Sequence, residues 1–133
     1  MTNLATSKCT HIEHENGVHE FKLADSSIAS YEAYLQILEP IYAQRTPDDP
    51  PLRSLFDGGK TNLPINYSMR RAKDLSDRYP NVGRIRMAIL SDSMVEIRLV
   101  DSFMRLFRFP KTQLRFFAVS RRDDALAWLV KDS

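Results

Sequence analysis

The stretch from Leu114 to Val130, LRFFAVSRRDDALAWLV, constrains the fold more than any other part of the chain. Leu114, Phe116, Phe117 and Val119 form a short apolar and aromatic run that suits a strand. Ser120 stops the run, and with Asp123 three residues later it approximates a capping box that starts a helix. Ala125, Leu126, Trp128 and Leu129 follow at helical spacing. A strand feeding straight into a helix is the repeating unit of an α/β fold. Trp128 is expected in the core, packing this last helix onto a sheet.

The preceding chain repeats the unit. Residues 1–9 read as a flexible tail, and residues 10–133 as one domain. Thr10 to His14 and Val18 to Leu23 read as two strands joined at Glu15-Asn16-Gly17, a hairpin turn signal. A first helix is predicted from about Ser27 to Arg45, with Ile28, Tyr31, Leu35, Leu38 and Tyr42 on one face and Pro40 kinking it or ending it early. TPDDPP at 46–51 is a loop. Leu52 to Phe56 is a strand, followed by a loop and a second helix entered at Pro64, with Ile65, Met69, Ala72, Leu75 and Tyr79 inward. Arg84 to Leu90 is the next strand. Ser93 and Glu96 form an S-x-x-E capping box for a third helix running to about Arg108, with Val95, Leu99, Phe103, Leu106 and Phe107 inward. The expected fold is α/β: a mostly parallel sheet of about five strands with an N-terminal hairpin and four helices.

Composition narrows the classes. A chain of 133 residues, 43% hydrophobic and 27% charged, suits one soluble domain with a real core. No apolar run approaches the roughly 20 residues that span a bilayer, so no integral membrane segment is expected. The lone Cys9 has no internal disulfide partner, and a reducing cytoplasm is the simplest home. Charge is uneven: residues 1–66 carry five Lys/Arg against nine Asp/Glu, a net of −4, and residues 67–133 carry fourteen against eight, a net of +6. Such asymmetry marks either an anion-binding surface or solvated helix faces. Arg70, Arg71, Lys73, Arg84, Arg86 and Arg115 lack the interleaved aromatic platforms of a nucleic-acid surface, so no nucleic-acid partner is expected.

The search for chemistry returns little. Gly59-Lys60-Thr61 looks like the end of a phosphate-binding loop, but the glycine required five positions earlier is Ser54. His11, His14 and His19 cluster at the hairpin with Glu13 and Glu15. His11 and His14 would point to opposite faces of a strand, so they read as exposed histidines and no metal site is expected. No Gly-x-Ser-x-Gly elbow or nucleophile–base pair is present. No catalytic residue and no cofactor are expected.

The strand–turn–DDALAWL pattern resembles the C-terminal strand and helix of the SpoIIAA-like (STAS-like) family, small bacterial domains akin to anti-sigma-factor antagonists. The resemblance extends over LRSLFDGG at 52–59 and GRIRMAILSDS at 83–93, and runs from about Gly17 to the end. It implies a non-enzymatic regulatory or protein-interaction module. Related folds bind nucleotides, lipids or partner proteins, so the alternative is a carrier or sensor of a small apolar or anionic ligand. In the antagonists a phosphorylatable serine sits in the loop after the strand that here ends at Phe56, within Asp-Ser-Ser-Gly. This chain has Asp57-Gly58-Gly59-Lys60-Thr61 there, and Gly58 holds the serine position, so the residue that carries the switch in that family is not at its place in this sequence.

Ligands of open α/β sheets gather at the carboxyl ends of strands. That places the expected ligand or partner site at Asp57, Gly58, Gly59, Lys60 and Thr61, with Asp92, Ser120 and Arg121, and Ser91 on the same rim. The partner is an unidentified protein or a small ligand. The parity of the strands also leaves Leu55, Ala88, Leu90, Phe117 and Val119 on a second sheet face. That face is expected to form a homodimer, or else to be covered by the first helix.

Overall fold

Asn16-Gly17 makes the turn that starts the sheet. Gly17 adopts φ 86°, a conformation that costs glycine no steric penalty. The turn joins β2 (Cys9–Glu13) to β3 (His19–Leu23) in antiparallel register, with His11 opposite Phe21 and Glu13 opposite His19. The structure, a computed structural model, describes residues 2–5, 8–57, 64–106, 109 and 111–131. Within it, β4 (Leu52–Asp57), β5 (Ile85–Leu90) and β6 (Thr112–Phe117) add in parallel after β3. The sheet order follows the chain, from β1 to β6. The predicted α/β architecture is present, with the hairpin, the parallel strands and four helices. The sheet has six strands rather than about five, because β1 (Thr2–Ala5), in the segment expected to be a flexible tail, pairs antiparallel with β2. Cys9, assigned to the same tail, is buried and opens β2.

Each parallel pair needs a crossover, supplied by α1 (Ile28–Ala43), α2 (Ile65–Arg78) and α3 (Met94–Leu106). Ser27 caps α1: its Oγ accepts from the Ser30 N–H at 3.1 Å, and Asp25 in turn accepts from the Ser27 N–H at 2.9 Å. The helix continues through Pro40 to Ala43 rather than stopping at it. These three helices pack on one sheet face, where Phe21, Phe56 and Ile89 meet Tyr31, Tyr34, Leu35, Leu38, Ile65, Leu75 and Val100.

The second face is covered too, which corrects the basis of the predicted homodimer. After β6 a single 3-10 turn over Val119–Arg121 reverses the chain into α4 (Arg122–Val130). Ala125 and Leu129 of α4 bury Val18, Leu55, Ala88, Leu90 and Phe117. The apolar face assigned to an interface is therefore internal, and the element over it is α4, not α1. Trp128 packs at the edge of this cluster, partly buried, while Leu129 is 0% exposed and occupies its centre.

The strand-start arginines serve this helix. Arg53 Nε donates to the Leu129 carbonyl at 2.7 Å, Arg86 donates to the Lys131 carbonyl, and the Arg86 guanidinium lies 4.5 Å from the centre of the Trp128 ring. Two cations thus meet the carbonyl end of α4, where the helix dipole is negative. At its other end Ser120 does not act as a cap. It lies in the 3-10 turn, α4 begins at Arg122, and the residue at its N-cap, Arg121, makes no side-chain capping hydrogen bond among the described residues.

Candidate functional site

The expected rim is built as the topology requires. Asp57 ends β4, Ser91 and Asp92 follow β5, and Ser120 and Arg121 follow β6, so three neighbouring parallel strands bring them to one edge. Gly58, Gly59, Lys60 and Thr61 lie outside the described residues. Several rim groups hold the structure together. The Asp92 carboxylate accepts from the Val119 N–H at 3.0 Å, the Ser91 N–H donates to the Phe117 carbonyl at 3.0 Å, and Arg121 Nε donates to Asp124 at 2.8 Å. Ser120 is exposed.

A larger feature lies under the helices, away from those residues. Between the sheet and α1, α2 and α3 is a cavity of about 110 Å³. Tyr31, Tyr34 and Tyr42 of α1 and Phe56 of β4 give it aromatic walls. Burial pushes the Tyr42 hydroxyl up to about 12 and the Tyr31 and Tyr34 hydroxyls further, so all three stay neutral. Tyr34 is wedged edge-on between Phe21 and Phe56, with centroids 5.0 and 4.9 Å away. An adjoining cleft of about 250 Å³ shares Ser76, Ile85, Phe109 and Thr112 with the cavity.

Two polar groups stand in the apolar lining. Ser68 of α2 is 5% exposed, and its Oγ has no hydrogen-bond partner among the described residues. Its backbone carbonyl accepts from the Tyr31 hydroxyl at 2.9 Å, which fixes that turn of α2. Glu96 of α3 is 9% exposed, and burial pushes its carboxyl above the ordinary range. The sequence expects Glu96 in a capping box and Val95, Leu99, Phe103, Leu106 and Phe107 inward. The structure turns α3 the other way: Glu96 and Val100 are buried and Phe103 is partly so, while Val95 is 69% exposed, Leu99 43% and Leu106 76%. Phe107, the last of the predicted inward set, lies outside the described residues. MVEIRLVDSFMRL is apolar on more than one stripe, so periodicity alone leaves its inward face undetermined.

The hairpin histidines also differ from expectation. His11 is buried, and its Nε2 lies 3.0 Å from His19 Nδ1, with the two rings stacked. Burial lowers both ring pKa values; His19 lowers His11 further, and Glu13 pulls against both shifts. His14 sits on the other face, as parity predicts. It joins Glu20 at 2.8 Å, and Arg122 donates to Glu20 through Nε at 3.1 Å. Burial of Glu20 opposes ionisation, but these two partners overcome it and hold its carboxyl below the ordinary value. The His11–His19 pairing was calculable from the Asn-Gly turn, because that register puts both rings on one face two rungs apart. Among the described residues no set of three His, Cys, Asp or Glu side chains converges to hold a metal ion, and no helix is long and apolar enough to cross a membrane.

Comparison with models of known protein families, with curated proteins and with solved structures found no match to this chain.

Proposed function

We propose that this domain is a non-enzymatic sensor or carrier that binds a small apolar molecule in the cavity between the sheet and α1–α3. The cavity itself carries the reading. At about 110 Å³ with aromatic walls, it approaches the size of the roughly 150 Å³ apolar cavity that holds benzene in an engineered protein. Binding pockets are mostly apolar with a few placed polar groups, and here those are Ser68 and Glu96. The element order, with its hairpin, parallel strands and four helices, is compatible with the STAS-like layout, and that resemblance supports a regulatory role over a catalytic one.

Titration with toluene, followed by amide NMR and thermal melting, tests the reading. Saturable shifts at α1, α2 and α3 are expected, with a melting point that rises with ligand concentration. At a hundredfold excess over Kd the stabilisation is about 2.7 kcal/mol. Ala72→Trp, which fills the cavity, should abolish both. Failure of toluene to bind at saturation in the wild-type protein sinks the proposal.

A protein-interaction module is the second reading, favoured by the exposed Met94, Val95, Leu99 and Leu106 of α3. The occupant proposed is a second copy of this chain, in place of the pairing through the α4-covered face. Sedimentation at micromolar concentration tests it, with Leu99→Glu expected to shift a dimer to monomer mass.

A further inference from the structure

Glu96 has been released from the role its spacing assigns. In an S-x-x-E box the glutamate carboxylate reaches back to the N–H of the capping serine. Only half of that box forms here. The Glu96 N–H donates to Ser93 Oγ at 3.2 Å, but the Ser93 N–H donates to Ser91 Oγ, also at 3.2 Å. Ser91 has taken the glutamate's place, and the Glu96 side chain turns into the cavity. Burial is the sole cause raising its carboxyl, so no described cation compensates it. Ser68 Oγ, buried in the same lining, is likewise without a partner.

A carboxyl and an orphaned hydroxyl inside aromatic walls define a head group by complement. The described lining contains no Lys, Arg or His. The adjoining cleft carries two cations, Lys73, which is paired with Asp77 at 3.0 Å, and Lys111. An anion buried in the cavity would find no counter-charge in the described lining and would face Glu96, so an anionic ligand is disfavoured. An ammonium satisfies what is present: it pairs with the carboxylate, donates to a hydroxyl oxygen, and is attracted to the faces of tyrosine and phenylalanine rings. Glu96 stands in the first turn of α3, where the helix dipole favours the ionised form once a cation is beside it.

We propose that the cavity takes a small apolar amine, its ammonium held by Glu96 and Ser68 Oγ and its hydrocarbon body among Tyr31, Tyr34 and Tyr42. This rests on the reading that the cavity binds a ligand, and deepens it by naming the ligand's class. Four probes sharing one ring separate the two claims: benzylamine, benzyl alcohol, benzoate and toluene, titrated calorimetrically into the full chain at neutral pH. Benzylamine is expected to bind at least about tenfold more tightly than benzyl alcohol or toluene, as a charge-assisted contact should, with benzoate the weakest. Glu96→Gln should erase the amine preference, and Ser68→Ala should weaken benzylamine more than it weakens toluene. If Glu96→Gln does not fold, Ser68→Ala together with the wild-type ranking still decides. An alcohol or toluene that binds as well as the amine overturns the head-group assignment while leaving the cavity reading standing, as does a preference that survives Glu96→Gln. Four probes that all fail to bind, toluene included, overturn both.

Discussion

On one face of the sheet, α4 lays Ala125 and Leu129 against Val18, Leu55 and Ala88, all at 0% exposure. On the other, three longer helices leave a cavity, an orphaned serine hydroxyl and a buried carboxyl beneath them. The larger helical layer is thus the less completely packed. The difference lies in residue choice. Ala125 lets α4 approach closely, and the two strand-start arginines hold its last carbonyls. On the other face α3 buries Glu96 and exposes Leu99, which forgoes apolar burial worth about 25 cal/mol per Å². A structure that gives up burial at one place and closes it fully at another is consistent with one face for stability and one for binding.

The contrast can be broken most strongly at α4. Leu129→Ala should cost about 2–5 kcal/mol in urea unfolding, since it empties a fully enclosed site. Trp128→Ala, at the partly buried edge, should cost less, about 2 kcal/mol. Equal losses at the two positions would mean that Trp128 sits deeper than the fold places it.

Adding volume sharpens the comparison. Ala125→Leu has no space to enter and should lose about 1–3 kcal/mol. Ala72→Leu, lining the cavity, should be neutral or stabilising by up to about 1 kcal/mol. If both substitutions destabilise alike, the cavity is not the free space described.

Acid should act on the hairpin between the two faces. His11 and His19 have folded pKa values below the ordinary 6.5, so the unfolded chain binds their protons more readily. Their contribution is complete above pH 6.5 and is lost as pH falls through 6.5 toward the lower folded values. Carboxylates held low, such as Glu20, lose theirs only as pH falls from their ordinary value of 4.5. Urea midpoints measured from pH 7 to pH 5 should therefore decline, and His11→Phe, which keeps the stack on Phe21, should flatten the decline. An unchanged slope in that variant would assign the acid loss elsewhere.

The smallest effect tests the rotation of α3. Leu99→Glu should change monomer stability by no more than about 0.5 kcal/mol, as at other exposed positions. A loss of several kcal/mol would restore the inward stripe of Val95, Leu99 and Leu106 and remove Glu96 from the cavity.

Much of the fold was legible because it depends on local chemistry. Asn16-Gly17 specifies a hairpin, and the strand–helix alternation of 52–130 specifies crossovers. The alternation of Arg53, Leu55, Arg86, Ala88 and Phe117 correctly separates the two sheet faces. The convergence of Asp57, Ser91, Asp92, Ser120 and Arg121 at one sheet edge was legible as well, since strand ends follow from strand order. The cavity was not. Its lining comes from six elements, and none of its residues carries a ligand-binding motif. The one available hint, Glu96 in an apolar helix, was masked because S-x-x-E has a sufficient local explanation as a cap.

By itself, then, the sequence determined what sits within a few residues along the chain: which segments are strands and helices, the turn that joins the hairpin, and the parity of each strand. Those follow from periodicity and backbone preference, which act over one or two turns. The tertiary structure decided where α4 goes, which stripe of α3 faces inward, and whether Glu96 caps its helix or enters the cavity. Each of these is a choice between arrangements that satisfy local rules equally well. It is made by contacts between residues far apart in the chain: Arg53 with Leu129, Leu55 with Ala125, Tyr31 with Ser68. No short-range pattern carries that information, because packing and desolvation belong to the assembled neighbourhood and not to the segment.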